Sequence, residues 1–247
     1  LANNTTASYN TAVGRYSLYT NTTGAGNVAL GYGALYSNTT AGKNTAIGFN
    51  AATTTTATNQ TVVGYDALRH CTTGKENTAI GVESMFTCTT GTENAAVGYY
   101  SLYAITTGSY NTAVGGNGTL SSVTTGENNV AIGWGAGNKF TTGSRHTAIG
   151  AQCLFNATTG EHNCGLGFQA GLSITTGNSN IVLGIESGRE ITTGGNNICI
   201  GADSGRSNAP SGSITTGSNN ICLGNNSISN LFCADTSISS SDSRDKT

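Results

Sequence analysis

Few side chains in this sequence stand where they could do chemistry together. Acids recur at one repeat position, Asp66 with Glu83 and Glu186 with Asp203, and paired carboxylates serve acid–base cleavage of glycosidic bonds. His146 and His162 fall in neighbouring repeat units with Glu161 between them, a conceivable metal site. The cysteines are Cys71, Cys88, Cys153, Cys164, Cys199, Cys222 and Cys233, and no two form a C-x-x-C pair, which sets aside zinc and thioredoxin-like chemistry. There is no Ser/His/Asp pattern, no Walker A run and no zinc signature. Outward polar rungs account for the acids more simply. The expectation is therefore no enzyme, no metal and no cofactor in the chain standing alone.

What must position every one of these residues is a repeat. Asn10-Thr11-Ala12-Val13-Gly14 returns as Asn27-Val28-Ala29-Leu30-Gly31, as Asn44-Thr45-Ala46-Ile47-Gly48, and onward to Gly224. The closing glycines are spaced mostly by 17 residues. A unit this short cannot bury a core alone, but stacked units place like over like and make a continuous one. One glycine in about seven residues, with threonine runs, is hard to fit to helix. The expected fold is all-β, a parallel β-solenoid or β-roll of about 13 coils of ~17 residues, forming a rod roughly 60 Å long.

Composition narrows the partners. Charged residues make up 9% of the 247 and the net charge is −2, so no basic surface points to nucleic acid or to an anionic membrane. No run of about 18 apolar residues is present, so no membrane insertion is expected. The chain begins at Leu1 without a visible signal peptide, as a fragment of something longer would.

Counting from the closing glycine of each unit, position −1 is Val, Ile or Leu and position −3 is usually Thr, Val or Ile. This alternation predicts a strand, with the β-branched side toward the coil interior. Position −2 is usually alanine: Ala12, Ala29, Ala46, Ala79, Ala96, Ala113, Ala131 and Ala148. On this reading the alanine side faces outward and suits close approach, so these eight are the expected seam between chains. Position −4 is Asn10, Asn27, Asn44, Asn77, Asn94, Asn111, Asn129, Asn163, Asn180, Asn197 and Asn220, replaced only by Gln60 and His146. Stacked amides bond rung to rung, so this row is expected to be a structural ladder.

After the glycine, position +1 is often aromatic, +3 is small, and +4 is Leu or Met in six units, then glycine at Gly171, Gly188 and Gly205. A Thr-Thr-Gly turn closes most units. In stacked coils Cys71 with Cys88 and Cys199 with Cys222 come within disulfide range by Cα distance, although small buried thiols are the plainer reading. The fourth unit is one residue short, one unit carries an extra residue near Asn117, and the last carries six extra residues. That insertion, from Asn208 through Pro210 to Ser213, is the candidate contact loop. Three Asn-x-Thr acceptors for N-glycans, at Asn21, Asn38 and Asn156, carry little weight in a chain so rich in these residues.

Two resemblances follow from these residues. The Asn-Thr-Ala-Val/Ile-Gly unit over residues 10–224 is similar to the repeat in heads of trimeric autotransporter adhesins, which implies parallel β-rolls assembled as a homotrimer. Ser241-Asp242-x-Arg244-x-Lys246 resembles the start of the endosialidase-type intramolecular chaperone, found after viral and phage tail fibres and spikes. That likeness implies self-cleavage before Asp242, with Ser241 as nucleophile and Lys246 as base. The remainder of that module does not follow, so the chain as it stands is not expected to cut itself. The expected organisation is a repeat shaft over 1–224, a neck over 225–241, and the first chaperone residues at 242–247. The expected function is a trimeric fibre or spike of a virus or phage, at the virion surface or otherwise extracellular, involved in host attachment. Its partners would be itself and a host-surface glycan or receptor. The alternatives are a bacterial adhesin-like head or a passive spacer, with an ice-binding solenoid or a glycan-degrading β-helix further off.

Overall fold

A computed structural model describes residues 1–230. Ser241, Asp242, Lys246, Cys233 and the neck beyond residue 230 lie outside the described residues. The three-residue strands are β1 (Thr11–Val13), β2 (Val28–Leu30), β3 (Thr45–Ile47), β4 (Thr61–Val63), β5 (Thr78–Ile80), β6 (Ala95–Val97), β7 (Thr112–Val114), β8 (Val130–Ile132), β9 (Thr147–Ile149), β10 (Cys164–Leu166), β11 (Ile181–Leu183), β12 (Ile198–Ile200) and β13 (Ile221–Leu223). They form one parallel 13-stranded sheet in chain order. The described residues contain no helix. Register never shifts: Ala12 pairs with Ala29, Ala46 with Val62 and Cys199 with Cys222. The short fourth unit and the insertion before β13 are thus absorbed in the corners. The expected all-β parallel solenoid is what the chain forms.

The faces of the strand are the reverse of the expectation. Ala29, Ala46, Ala79, Ala96, Ala113, Ala131 and Ala148 are 0% exposed and belong to the core, and Ala12 packs against it partly buried. The outward residues are those at −3 and −1, such as Val28 and Leu30, Ile181, Ile200 and Leu223. The reason is the narrowness of the coil. At Gly165, which replaces the alanine, an added Cβ would run into Cys153 Sγ and lie 3.1 Å from Leu154 Cγ. The opposite wall leaves room for only a small side chain, alanine in most coils and valine or cysteine at Val62, Val182, Cys199 and Cys222. These alanines therefore cannot be the seam between chains.

The interior is filled by two positions three residues apart, together with the strand residue at −2. Leu102 and Ile105 are both buried in a coil whose strands carry alanine, while Gly171 with Ile174 goes with Val182. Leu18, Leu35, Leu68, Met85, Leu102 and Leu154 at +4, and Leu120 at +5 in the unit with the extra residue, are all fully buried. Where +4 becomes Gly137, Gly171 or Gly188, a larger residue three places on takes the space: Phe140, Ile174 and Ile191, each fully buried. A Cβ at Gly171 would sit 2.7 Å from Leu154 Cδ2 and 2.9 Å from Ile174 Cδ1. Interiors packed to crystal density exchange volume this way.

Corners are made by left-handed residues, glycine or not. In the coil after Gly81, Glu83 (φ 52°), Met85 (φ 52°) and Glu93 (φ 55°) all turn this way. Each costs on the order of 1–2 kcal/mol in an L-residue. The offset is a nearly complete coil-to-coil backbone ladder: Met85 N–H donates to Ser101 O (3.0 Å), Thr87 N–H to Tyr103 O (3.1 Å) and Glu93 N–H to Lys75 O (3.0 Å). At the closing glycine, coils come closest. Gly150 has φ 128°, and a Cβ there would lie 2.5 Å from Gly167 O.

Candidate functional site

The asparagine row is the interior seam of the rod. Asn111 N–H donates to Asn94 Oδ1 at 3.0 Å, and Asn94 Nδ2–H donates to Gly108 O at 3.0 Å, so one carboxamide holds two points of the next coil. The same pair of bonds runs from Asn10 to Asn27 and Gly24, and from Asn180 to Asn197 and Gly194. Asn27, Asn44, Asn77, Asn94, Asn111, Asn129, Asn163, Asn180 and Asn197 are buried, so each bond is made in a low-dielectric setting where an orphan would be costly. The substitutes keep the pattern. Gln60 Oε1 accepts from Asn77 N–H at 3.2 Å, and His146 Nδ1 accepts from Asn163 N–H at 3.2 Å.

A second, shorter amide row was not anticipated. Asn21 Nδ2–H reaches Asn4 Oδ1 at 3.2 Å and Asn38 Nδ2–H reaches Asn21 Oδ1 at 3.0 Å. It stops where Thr55 takes the next place, leaving Asn38 Oδ1 buried without a partner. The signal was legible, since Asn-Thr-Thr recurs at residues 4, 21 and 38 with the period of the coil. With Asn21 and Asn38 fully buried, these two glycan-acceptor sequences do not offer their amides to solvent in the folded rod.

The candidate chemical residues are brought near one another but are already engaged. Asp66 receives Arg69 Nη1–H at 3.0 Å. Glu83 meets the Tyr100 hydroxyl, and that hydrogen bond, first among its causes, pushes the Tyr100 phenol up to about 12. Glu186 receives Arg189 Nη1–H at 2.8 Å, while Arg206 bridges Glu186 and Asp203. Glu190 is held below the usual carboxylate range, chiefly by a hydrogen bond from Ser213. Glu186 and Asp203 are thus locked by guanidinium groups, whereas Asp66 is buried with its Oδ1 unpartnered. His146 is inside and His162 outside, with His162 Nδ1 3.7 Å from Glu161. Among the described residues no group of three metal-ligating side chains comes together.

The insertion does protrude. Asn208, Pro210 and Ser213 are exposed while Ala209 tucks beneath them. Pro210 and Ser211 form one wall of a cavity of about 260 Å³ whose other wall is Ile221, Leu223 and Gly224.

What stands out on the surface is the outer face of the sheet. Three outward residues per coil, at −3, −1 and +1, line up along all thirteen strands. From β2 onward none of them is charged. Leu166 is 50% exposed, Trp134 49% and Ile185 60%. At about 4.8 Å per coil and about 13 Å across, this stripe covers on the order of 700 Å², above what a monomer normally leaves bare. Its aromatic members stack on each other: Tyr32 on Phe49 at 5.1 Å and Phe49 on Tyr65 at 5.5 Å, nearly parallel. In that stretch ring faces meet between coils, whereas the half-exposed Trp134 and Phe168 stack on no other ring among the described residues. The stripe can bury apolar area against a flat partner. No family model, curated protein or solved structure matches the chain.

Proposed function

We propose that this chain is the shaft of a homotrimeric surface fibre, of the virus or phage spike kind, in which three solenoids pack side by side through the outer faces of their sheets. The observation that carries the reading is the uncharged apolar stripe running the length of the rod. Uncharged residues recur at these places from β2 onward, so a second copy set parallel and in register meets like with like over the whole length. Closed symmetry then buries every stripe at once. The area available to each chain is close to the ~800 Å² per partner of a stable interface. The earlier place for the seam, the alanines, is replaced by Leu30, Ile80, Ile132, Leu166 and their row.

Such a rod belongs outside a cell or on a virion, where a rigid spacer carries an attachment module. Packing of the stripe in the trimer covers its half-exposed rings, so a host glycan or receptor would be met elsewhere, with the exposed Asn208–Ser213 loop as the candidate. The first Thr of each Thr-Thr-Gly corner directs its hydroxyl to the next coil, as Thr89 does to Thr106 O at 3.0 Å. Only the second threonine faces out, which leaves a single row in place of the flat double array that ice binding needs.

Sedimentation equilibrium on the purified chain tests the proposal. A trimer mass that does not dissociate on dilution is expected. A monomer at every concentration would overturn it.

A further inference from the structure

The fully buried cysteines Cys71 and Cys88 occupy the same place in consecutive coils, seven residues after the closing glycine. Their sulfurs are 3.6 Å apart, with the Cys88 thiol donating to Cys71 Sγ. Coils one rung apart set the two Cα atoms about 4.8 Å from each other, inside the ~4.4–6.8 Å that disulfides span. We propose that Cys71 and Cys88 form an interior disulfide that staples one coil to the next when the chain folds in an oxidising environment.

The surroundings show why a staple belongs here. Along the rod this interior position reads Asn21, Asn38, Thr55, Cys71, Cys88, Ile105 and Val123. The amide row that ties the first coils ends at Asn38 with an unpartnered oxygen. From Ile105 onward the position is filled by apolar bulk, apart from Ala157. The two cysteines lie between, next to the short unit where Thr53-Thr54-Thr55-Thr56-Ala57-Thr58 stands in place of a Thr-Thr-Gly turn. At this one interior position, neither a hydrogen-bonded amide nor a large side chain joins these coils.

The pair is also arranged for thiol–disulfide exchange. The hydrogen bond from Cys88 holds the Cys71 thiol below its ordinary value against the opposing effect of burial, and the same contact with burial pushes Cys88 up. Either thiolate can attack first while the coils are closing, and the steps are the same with Cys71 or Cys88 as the attacker. With oxidised glutathione as the small disulfide oxidant, Cys71 thiolate attacks one of its sulfurs and expels a glutathione thiolate, leaving a mixed disulfide. Cys88 gives its proton to the expelled thiolate and attacks Cys71 Sγ, expelling the second glutathione. One protein disulfide forms, and one glutathione disulfide is reduced to two thiols. Because both sulfurs are shut away in the finished coil, the exchange takes place while the coils are closing.

The test is peptide mapping of the whole chain, refolded from the reduced, denatured state in a mixture of oxidised and reduced glutathione, then alkylated and digested without reduction. A peptide linked through Cys71 and Cys88 is expected, with a denaturation midpoint higher than that of the same protein folded under reductant. The gain should vanish in Cys71→Ser. Full alkylation of both cysteines after oxidative refolding, or linkage of either to another cysteine, would overturn the proposal, and the mapping on the unsubstituted chain decides this even if Cys71→Ser folds poorly.

Discussion

His146 Nε2 lies 2.6 Å from the carbonyl oxygen of Gly160, one coil further along the rod. The carbonyl can only accept, so Nε2 carries the proton, and Nδ1 is left to accept from Asn163 N–H. The imidazole thereby copies the amide it replaces, one donor and one acceptor, but only while neutral. Burial, the leading cause, brings its pKa down to about 4 from 6.5. Above about pH 6.5 the ring is neutral in both folded and unfolded chains and the contribution to stability is whole. Between there and about pH 4 the unfolded chain takes up the proton and the folded one does not, so stability falls as pH falls. The loss is about 3 kcal/mol by pH 4. In His146→Asn this part of the pH dependence should disappear. Urea midpoints of both proteins at pH 7.5 and 4.5 measure it; a variant with the same acid sensitivity as the parent would show that His146 does not titrate in this way.

The exchange of volume between Gly171 and Ile174 predicts a coupled pair. Leucine is accepted at the equivalent place one coil earlier, where Leu154 has φ 49°, so backbone conformation does not forbid Gly171→Leu. Its side chain would instead strike Leu154, Ile174 and Val182. Gly171→Leu alone should cost about 1–3 kcal/mol by overpacking, and Ile174→Ala alone about 2–4 kcal/mol by leaving a cavity. Combined, they place the Leu and Ala of the Leu154–Ala157 coil against Val182 in place of Gly165. With the clash against Ile174 removed, the double variant should be more stable than the sum of the two single effects would make it. Thermal unfolding of the four proteins checks this, and simple additivity would mean that the two positions do not share one space.

Glu93 marks a corner that the fold holds against local preference. It is exposed, left-handed (φ 55°), and its backbone N–H donates to Lys75 O. At the same corner other coils use Asn59, Asn128, Asn196 and Asn219, each with φ between 55° and 63°. Asparagine tolerates this region where glutamate does not. Glu93→Asn should therefore raise stability by several tenths to about 1 kcal/mol, read as a higher urea midpoint. A lower midpoint would place the strain elsewhere.

The coil, its register and the asparagine row were open to reading because each depends on the spacing of side chains that recur, and recurrence survives stacking. The direction each strand faces was not. Alternation tells Ala79 from its neighbours Thr78 and Ile80 but does not say which side is inside, and burial preference alone would put isoleucine in. What decides is the width of the coil, set by how closely the wall carrying Ser84 and Met85 approaches the strand. That distance is a property of three left-handed corners per coil, and corners made by Glu, Tyr and Leu leave little trace in sequence. The same holds for the acids: Glu186 and Asp203 stack at one repeat position, yet the bridge by Arg206 depends on side-chain reach between coils.

The two faces of the strand can be told apart by one charge placed on each. Ala96 is 0% exposed in the core, and Leu166 is 50% exposed on the outer stripe. A glutamate at Ala96 has neither room nor a partner for its carboxylate, and such a change should cost about 4 kcal/mol or more. Loss of the folded rod itself is expected, seen as loss of the β-sheet circular dichroism signal. Glutamate at Leu166 can leave its carboxylate in water, so the solenoid should keep its sheet content and lose less than about 1 kcal/mol as a single chain. In the trimer, however, three such charges would be brought together at the axis without a counter-ion. Leu166→Glu should therefore sediment as a folded monomer where the proposed assembly has the parent sediment as a trimer. Folded trimers of Leu166→Glu would mean that the chains meet through another surface, and a folded Ala96→Glu would mean that the strand faces the other way.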